Sequence, residues 1–95
     1  MHAVVATVRV EDVPAARAAL SRLRLDLVPR APGFVSAYWL EPVDGFGMSV
    51  IVFDTWEHAE EAAAYPLPPL PGVTPVKVEL REVFASVTSP AGGGG

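Results

Sequence analysis

The sequence contains no cysteine, asparagine or glutamine, and its only histidines are His2 and His58. The absence of cysteine excludes disulfides, thiolate metal sites and thiol nucleophiles. Two imidazoles are too few for a histidine-rich metal site. We therefore expect the protein to use no metal or other cofactor.

No apolar run approaches the ~18 to 20 residues of a transmembrane helix, and no basic segment precedes the apolar residues at the start, as a secretory signal requires. The sequence therefore predicts a cytoplasmic protein without a membrane partner. A net charge of -4 lacks the basic surface that nucleic-acid binding needs, so no nucleic-acid partner is expected either.

The chain has 95 residues, of which 51% are hydrophobic and 19% charged. This length suits one small domain, and the apolar content is too high for a disordered chain. We predict a single domain over residues 1–87. Residues 88–95, which end in four glycines, are predicted to be a flexible tail.

Hydrophobic periodicity predicts four strands and two helices in the order βαββαβ. The strands are predicted at residues 3–10, 34–40, 48–53 and 73–87, and the helices at residues 14–29 and 54–65. Asp12 is placed to cap the first helix, and Asp54 with Glu57 three residues later resembles a capping box for the second. Residues 42–47 form a turn cluster between two antiparallel strands. This order predicts an α+β ferredoxin-like fold, a four-stranded antiparallel sheet with two helices on one face.

Both faces of the predicted sheet are apolar, although a sheet covered by helices on one face should be polar on the other. A second copy of the chain would cover the remaining face. The predicted 15-residue fourth strand would span ~50 Å, more than the domain can pair, so residues 83–87 are expected to reach a neighbouring subunit. We predict a homodimer formed through the sheets, with Ile51 and Val83 on its buried side.

The chain resembles the dimeric α+β barrel superfamily, and within it the small proteins related to antibiotic-biosynthesis monooxygenases. The resemblance runs from about Ala3 to Val87 and rests on the βαββαβ order and two segments. These are Pro32-Gly33-Phe34 before the second strand and Val52-Phe53-Asp54-Thr55-Trp56-Glu57 after the third. The composition, rich in Ala, Val, Pro and Arg with one Lys, is similar to that of proteins from GC-rich actinobacteria.

The resemblance implies one functional position, Trp56, where monooxygenase and haem-degrading members often place a tryptophan. The haem-degrading members also need an asparagine in the first strand and a histidine late in the second helix. This chain has Thr7 in the first strand and Tyr65 and Pro66 late in the helix, so we expect no haem.

An oxygenase without metal or flavin needs a base that ionises its substrate and an aromatic cradle. The ligand-binding candidates are Trp56 together with Tyr38 or Trp39, which as strand neighbours point to opposite faces. The catalytic candidates are Trp56, His58 and Glu79, with Asp54 as a further possible base.

Each candidate also has a structural interpretation. Trp56 would be a core residue, Asp54 the helix cap and His58 a solvated side chain. Glu79 would belong to an ion-pair row with Lys77 and Arg81 on one side of the fourth strand.

We therefore expect a homodimeric α+β barrel protein that acts as a cofactor-independent monooxygenase or cyclase on an aromatic or polyketide-like small molecule. The alternative is a non-catalytic dimeric module that binds an apolar small molecule or a protein partner. The lack of Asn, Gln and Cys favours the alternative, because acid–base catalysis needs positioned donors and acceptors.

Overall fold

The computed structural model describes residues 1–22, 28–64 and 71–87. Within these residues the predicted βαββαβ order is confirmed. The elements are β1 (His2–Val10), α1 (Val13–Arg22), a 3₁₀ helix (Val28–Arg30), β2 (Phe34–Val43), β3 (Phe46–Phe53), α2 (Trp56–Ala64) and β4 (Val73–Glu82).

The four strands form one open sheet in the order β2-β3-β1-β4, and every neighbouring pair is antiparallel. One row across the sheet aligns Phe34, Phe53, His2 and Glu82. This is the ferredoxin-like arrangement that the sequence predicts, in which β1 lies between the two strands that flank α2 in sequence.

The hairpin between β2 and β3 is tighter than the predicted turn at residues 42–47. Only Asp44 and Gly45 form the turn, with φ angles of 53° and 82°. Two successive residues with positive φ are typical of a type I′ turn, which matches the twist of the flanking strands. Pro42 lies within β2, and β2 tolerates it because it is an edge strand.

The core lies between the sheet and α2. It consists of Val4, Phe53 and Ala59, with Ile51 and Leu80 packed against it. Phe53 is only 2% exposed, but no large side chain among the described residues is completely buried. The prediction that Ile51 lies on the face away from the helices is therefore wrong, because its pairing with Val4 places it on the core side.

Polar contacts cap the first helix and join it to β2. The Asp12 carboxylate accepts a hydrogen bond from the Ala15 N–H at 3.1 Å, so the predicted cap is confirmed. Arg17 donates two hydrogen bonds to Glu41 of β2, at 3.0 and 3.1 Å. No residue of α1 is buried, so this helix adds little to the apolar core.

The predicted ends of several elements differ from the structure or lie outside it. Residues 28–29 belong to a 3₁₀ helix rather than to the predicted α-helix, and Val28 is buried there. The predicted helical segments at residues 23–27 and at Tyr65, and the predicted tail at residues 88–95, lie outside the described residues.

The prediction that the fourth strand continues to residue 87 is wrong, because β4 ends at Glu82. The Val83 N–H still donates to the Met1 carbonyl at 3.0 Å, but β1 begins at His2 and offers no further partner. Residues 83–87, which we call the C-terminal arm, leave the sheet. Phe84 and Val87 in this arm are 99% and 95% exposed.

Candidate functional site

The amino end of α2 carries a histidine bonded to a carboxylate. The His58 Nδ1 and Asp54 Oδ1 atoms are 2.6 Å apart, and the two residues are four positions apart in sequence. We call this pair the Asp54–His58 dyad. It forms because β3 ends at Phe53 and α2 begins at Trp56, so both side chains lie at the strand-to-helix junction.

Thr55, and not Asp54, caps α2. The Thr55 Oγ1 accepts a hydrogen bond from the His58 N–H at 3.2 Å. The expectation that Asp54 caps the helix is wrong, because the helix starts one residue later than the predicted capping box requires. The Asp54 carboxylate is thereby left to bond the imidazole, a role that the sequence analysis did not assign to it.

Gly33, just before β2, lies against the dyad. Its carbonyl accepts a hydrogen bond from the Asp54 N–H at 2.9 Å, and its φ is 77°. A Cβ atom at this position would overlap Asp54 Oδ1 and His58 Nδ1. The two side chains can therefore occupy their positions only because residue 33 has no side chain.

The hydrogen bond shifts both members of the dyad toward their charged forms. The bond to Asp54, helped by the nearby charges of Asp54, Glu61 and Glu57, raises the pKa of His58 against the opposing effect of desolvation. The same bond lowers the pKa of Asp54. Since an ionised carboxylate only accepts hydrogen bonds, His58 donates through Nδ1 and its Nε2 carries the free lone pair when the ring is neutral. The His58 side chain is 36% exposed, so solvent reaches the ring.

Trp56 stands at the start of α2 and packs edge-on against His2. The ring centroids are 5.4 Å apart and the rings are inclined by 81°. Trp56 is 41% exposed, so it does not seal the core. Trp56 and His58 are two residues apart, about 200° around the helix, so a ligand that contacts both lies across the amino end of α2.

The two adjacent aromatic residues of β2 lie on opposite faces of the sheet, as the strand period predicts. Trp39 pairs with Ser49 on the core side, and Tyr38 pairs with Val50 on the other side. The row through Trp39 and Ser49 crosses β1 at Ala6, about 13 Å along the strand from His2. The structure therefore brings neither Tyr38 nor Trp39 to the end of the sheet where Trp56 lies.

The face of the sheet away from α2 is apolar at its centre. We call it the open sheet face, and its apolar residues are Val5, Tyr38, Leu40, Met48, Val50 and Val52. Tyr38 and Leu40 are 55% and 54% exposed, and the three valines are half-buried. An exposed apolar patch of this kind is typical of an interaction surface.

Charged residues border the open sheet face. Glu79 of β4 lies 3.3 Å from Lys77 and 3.5 Å from Arg81, so the predicted ion-pair row is present. At one end of β1 the Arg9 guanidinium lies 5.6 Å from the centre of the Phe46 ring. An apolar centre with a charged rim is the usual composition of a protein–protein interface.

Neither a membrane-crossing helix nor a metal cluster is found in the described part of the chain. None of its helices is long and apolar enough to span a bilayer. No group of three His, Asp or Glu side chains in residues 1–22, 28–64 and 71–87 is arranged to hold a metal ion.

The chain matches no protein-family model, no curated protein and no solved structure. Its resemblance to the dimeric α+β barrel superfamily therefore stays a prediction that rests on the residues quoted above.

His58 and Asp54 were each candidates from the sequence, but their pairing and the role of Gly33 were not predicted. The signal was present as a four-residue spacing at a helix start, where two side chains share one flank. The contact with Gly33 was not readable, because it joins residues that are more than twenty positions apart.

The dyad predicts a pH-dependent contribution to stability. Because the pKa of His58 is raised, the imidazolium–carboxylate pair stabilises the fold fully below the ordinary histidine pKa of about 6.5, and this stabilisation is lost as the pH rises through the folded pKa. Asp54, whose pKa is lowered, loses its contribution only as the pH falls through its own folded pKa. Asp54→Asn should therefore reduce the urea midpoint more at about pH 5.5 than at about pH 8.5.

Asp12→Asn is the matched control. Asp12 also binds a helix start, but its carboxylate bonds a backbone N–H and no histidine. Asp12→Asn should lower the urea midpoint by the same amount at both pH values. An equal or larger effect of Asp54→Asn at the higher pH would contradict the charge assignment of the dyad.

Proposed function

We propose that the protein is a homodimer assembled through the open sheet face and that it acts as a cofactor-independent monooxygenase or cyclase on an aromatic or polyketide-like small molecule. The observation that carries the assembly is the exposed apolar centre of the open sheet face. The chemistry is supported by the 2.6 Å bond between Asp54 and His58.

The size of the open sheet face suits a dimer. Four strands about 4.8 Å apart and about nine residues long cover roughly 19 Å by 30 Å. With the relief of the side chains, this approaches the ~800 Å² that each partner contributes to a standard interface. A second copy supplies a surface of the same shape and polarity, so a two-fold pairing covers the open sheet faces of both copies at once.

The C-terminal arm supports the same assembly. Phe84 and Val87 are almost fully exposed in a single chain, which is unfavourable for large apolar side chains. The arm leaves the sheet at the end of β4, on the edge where the charged rim stands, and an open concavity of about 390 Å³ lies at Glu82, Val83 and Phe84. The exposure of the arm supports a contact with a second copy that packs on the adjoining face.

The proposed chemistry begins with the removal of a proton. Neutral His58 takes the proton of a weakly acidic substrate O–H at Nε2, and the electron pair of the broken O–H bond stays on the substrate oxygen. The imidazolium formed lies beside the Asp54 carboxylate, which stabilises its charge. In an oxygenase, a C–H carbon of the substrate anion bonds dioxygen, the peroxide anion takes the proton back from His58, and loss of water leaves a carbonyl oxygen on that carbon, so the substrate itself supplies the electrons. In a cyclase, a carbon of the enolate attacks a carbonyl carbon of the same molecule, the C=O π bond breaks, and the resulting alkoxide takes the proton from His58.

A second candidate function is a non-catalytic dimeric module that binds an apolar small molecule or a protein partner. One observation favours it. Neither Tyr38 nor Trp39 lies at the end of the sheet where Trp56 stands, so within one copy of the chain neither completes an aromatic cradle with it.

The dimer proposal predicts the effect of a charge on the open sheet face. Val50→Lys should weaken association by about 3 kcal/mol or more, a ~100-fold rise in the dimer dissociation constant, because an unpaired buried charge is costly. Sedimentation equilibrium of purified variants measures this directly. Ala18→Lys, on an exposed position of α1, adds the same charge and should leave association unchanged. Equal association of the two variants would exclude the open sheet face as the interface.

Ligand binding near Trp56 is tested by tryptophan fluorescence. The chain has two tryptophans, so Trp39→Phe leaves Trp56 as the reporter and Trp56→Phe leaves Trp39. Phenols, quinones and polyketide-like aromatics at up to ~1 mM should quench the first variant saturably and the second only in proportion to concentration. Saturable quenching in neither variant would remove Trp56 from the proposed site.

A further inference from the structure

Gly33 contacts the Asp54–His58 dyad in two independent ways. Its backbone carbonyl accepts the Asp54 N–H at 2.9 Å, which fixes the backbone from which the carboxylate projects. Its missing side chain leaves the space that Asp54 Oδ1 and His58 Nδ1 occupy. Both contacts join the start of β2 to the amino end of α2.

The conformation of Gly33 adds a second requirement. A φ of 77° lies in the left-handed region, which residues with a Cβ adopt at a cost. Gly45, in the β2–β3 turn, has a similar φ of 82°, but a Cβ there would meet no atom within 4 Å. The two glycines thus share the backbone requirement, and only Gly33 has the close approach to other side chains.

We propose that Gly33 is a positioning residue for the base of this protein: the absence of a Cβ at residue 33 holds Asp54 and His58 together with Nδ1 directed at the carboxylate and Nε2 left to accept a proton. This inference rests on the proposed function, in which His58 is that base. The substrate class that fits is a small molecule with a weakly acidic O–H, such as a phenol or an enol.

Forced apart by a Cβ, the dyad loses the bond that keeps the imidazole in its Nδ1–H form. The pKa of His58 then falls, because the hydrogen bond to Asp54 is the largest cause of its rise. Glu57 and Glu61 of α2 remain near the ring and retain a smaller effect in the same direction. A residue with a purely structural role would change stability without moving this titration.

The test is an NMR titration of the His58 ring in four proteins: wild type, Gly33→Ala, Gly45→Ala and Asp54→Asn. Gly33→Ala should lower the His58 pKa to that of Asp54→Asn, whereas Gly45→Ala should leave it at the wild-type position. A wild-type titration in folded Gly33→Ala would overturn the proposal.

A stability cycle decides the case in which Gly33→Ala does not fold. The substitution is made both in the wild type and in the double variant Asp54→Ala/His58→Ala, where the overlapping atoms are gone, and urea midpoints are compared. In the wild type, Gly33→Ala should abolish folding or lower the midpoint more than Gly45→Ala does. In the double variant it should fold and lower the midpoint by the same amount as Gly45→Ala. An equal shift in both backgrounds, or loss of folding in both, would overturn the proposal.

These readouts require neither substrate nor dimer. A Gly33-dependent titration in a protein that shows no reaction with any phenol, enol or polyketide-like compound would refute the proposed function and leave the positioning role standing. If the protein is an active enzyme but substitution at residue 33 leaves the His58 titration unchanged, the positioning role is refuted and the proposed function stands.

Discussion

A sheet buries apolar side chains on both faces only if something covers each of them, and the described residues of this protein cover one. Its second helix lies over the side that holds Val4, Phe53 and Ala59, and the opposite side carries Tyr38, Leu40 and their valine neighbours without cover. A chain of this size buries little area in its own core, so leaving one apolar face of the sheet in water costs a large share of its stability. The open sheet face is therefore the feature on which the proposed assembly depends. The C-terminal arm beside it exposes two further large apolar side chains, Phe84 and Val87.

The candidate site is independent of that face. It is a local consequence of how β3 joins α2: Thr55 caps the helix, which leaves the Asp54 carboxylate to the imidazole four residues on. The dyad lies at one end of the sheet, and its partner across the chain is the backbone of Gly33. The proposed assembly and the proposed chemistry can consequently be tested separately, by a charge at Val50 for the first and by a methyl group at residue 33 for the second.

The fold was predictable because the hydrophobic period fixes each element and the βαββαβ order leaves few topologies. It was harder to predict which face of the sheet each side chain lies on. The two-residue period of a strand shows which residues share a face, but not which face meets the helices. Ile51 was placed on the wrong side for that reason, and only its pairing with Val4 settles the matter. The fourth strand was predicted too long because the alternation over residues 73–87 fits a strand pattern, whereas a strand ends where its partner ends.

The site was less predictable than the fold. His58 and Asp54 were both named from the sequence, but a shift of one residue in the helix start decides whether Asp54 caps the helix or binds the imidazole. The contact with Gly33 depends on the tertiary structure, and a glycine before a strand has many possible reasons to be there. Trp56 was correctly placed at the start of α2, yet its contact with His2 required the pairing of β1 with β3 to be known.

Whether a second copy covers the open sheet face can be read from the mass of the unmodified protein in solution. One chain has a mass of 10.0 kDa. A dimer should give about 20 kDa, the mass of two chains, in static light scattering at micromolar concentration. A mass of one chain across the micromolar range would contradict it.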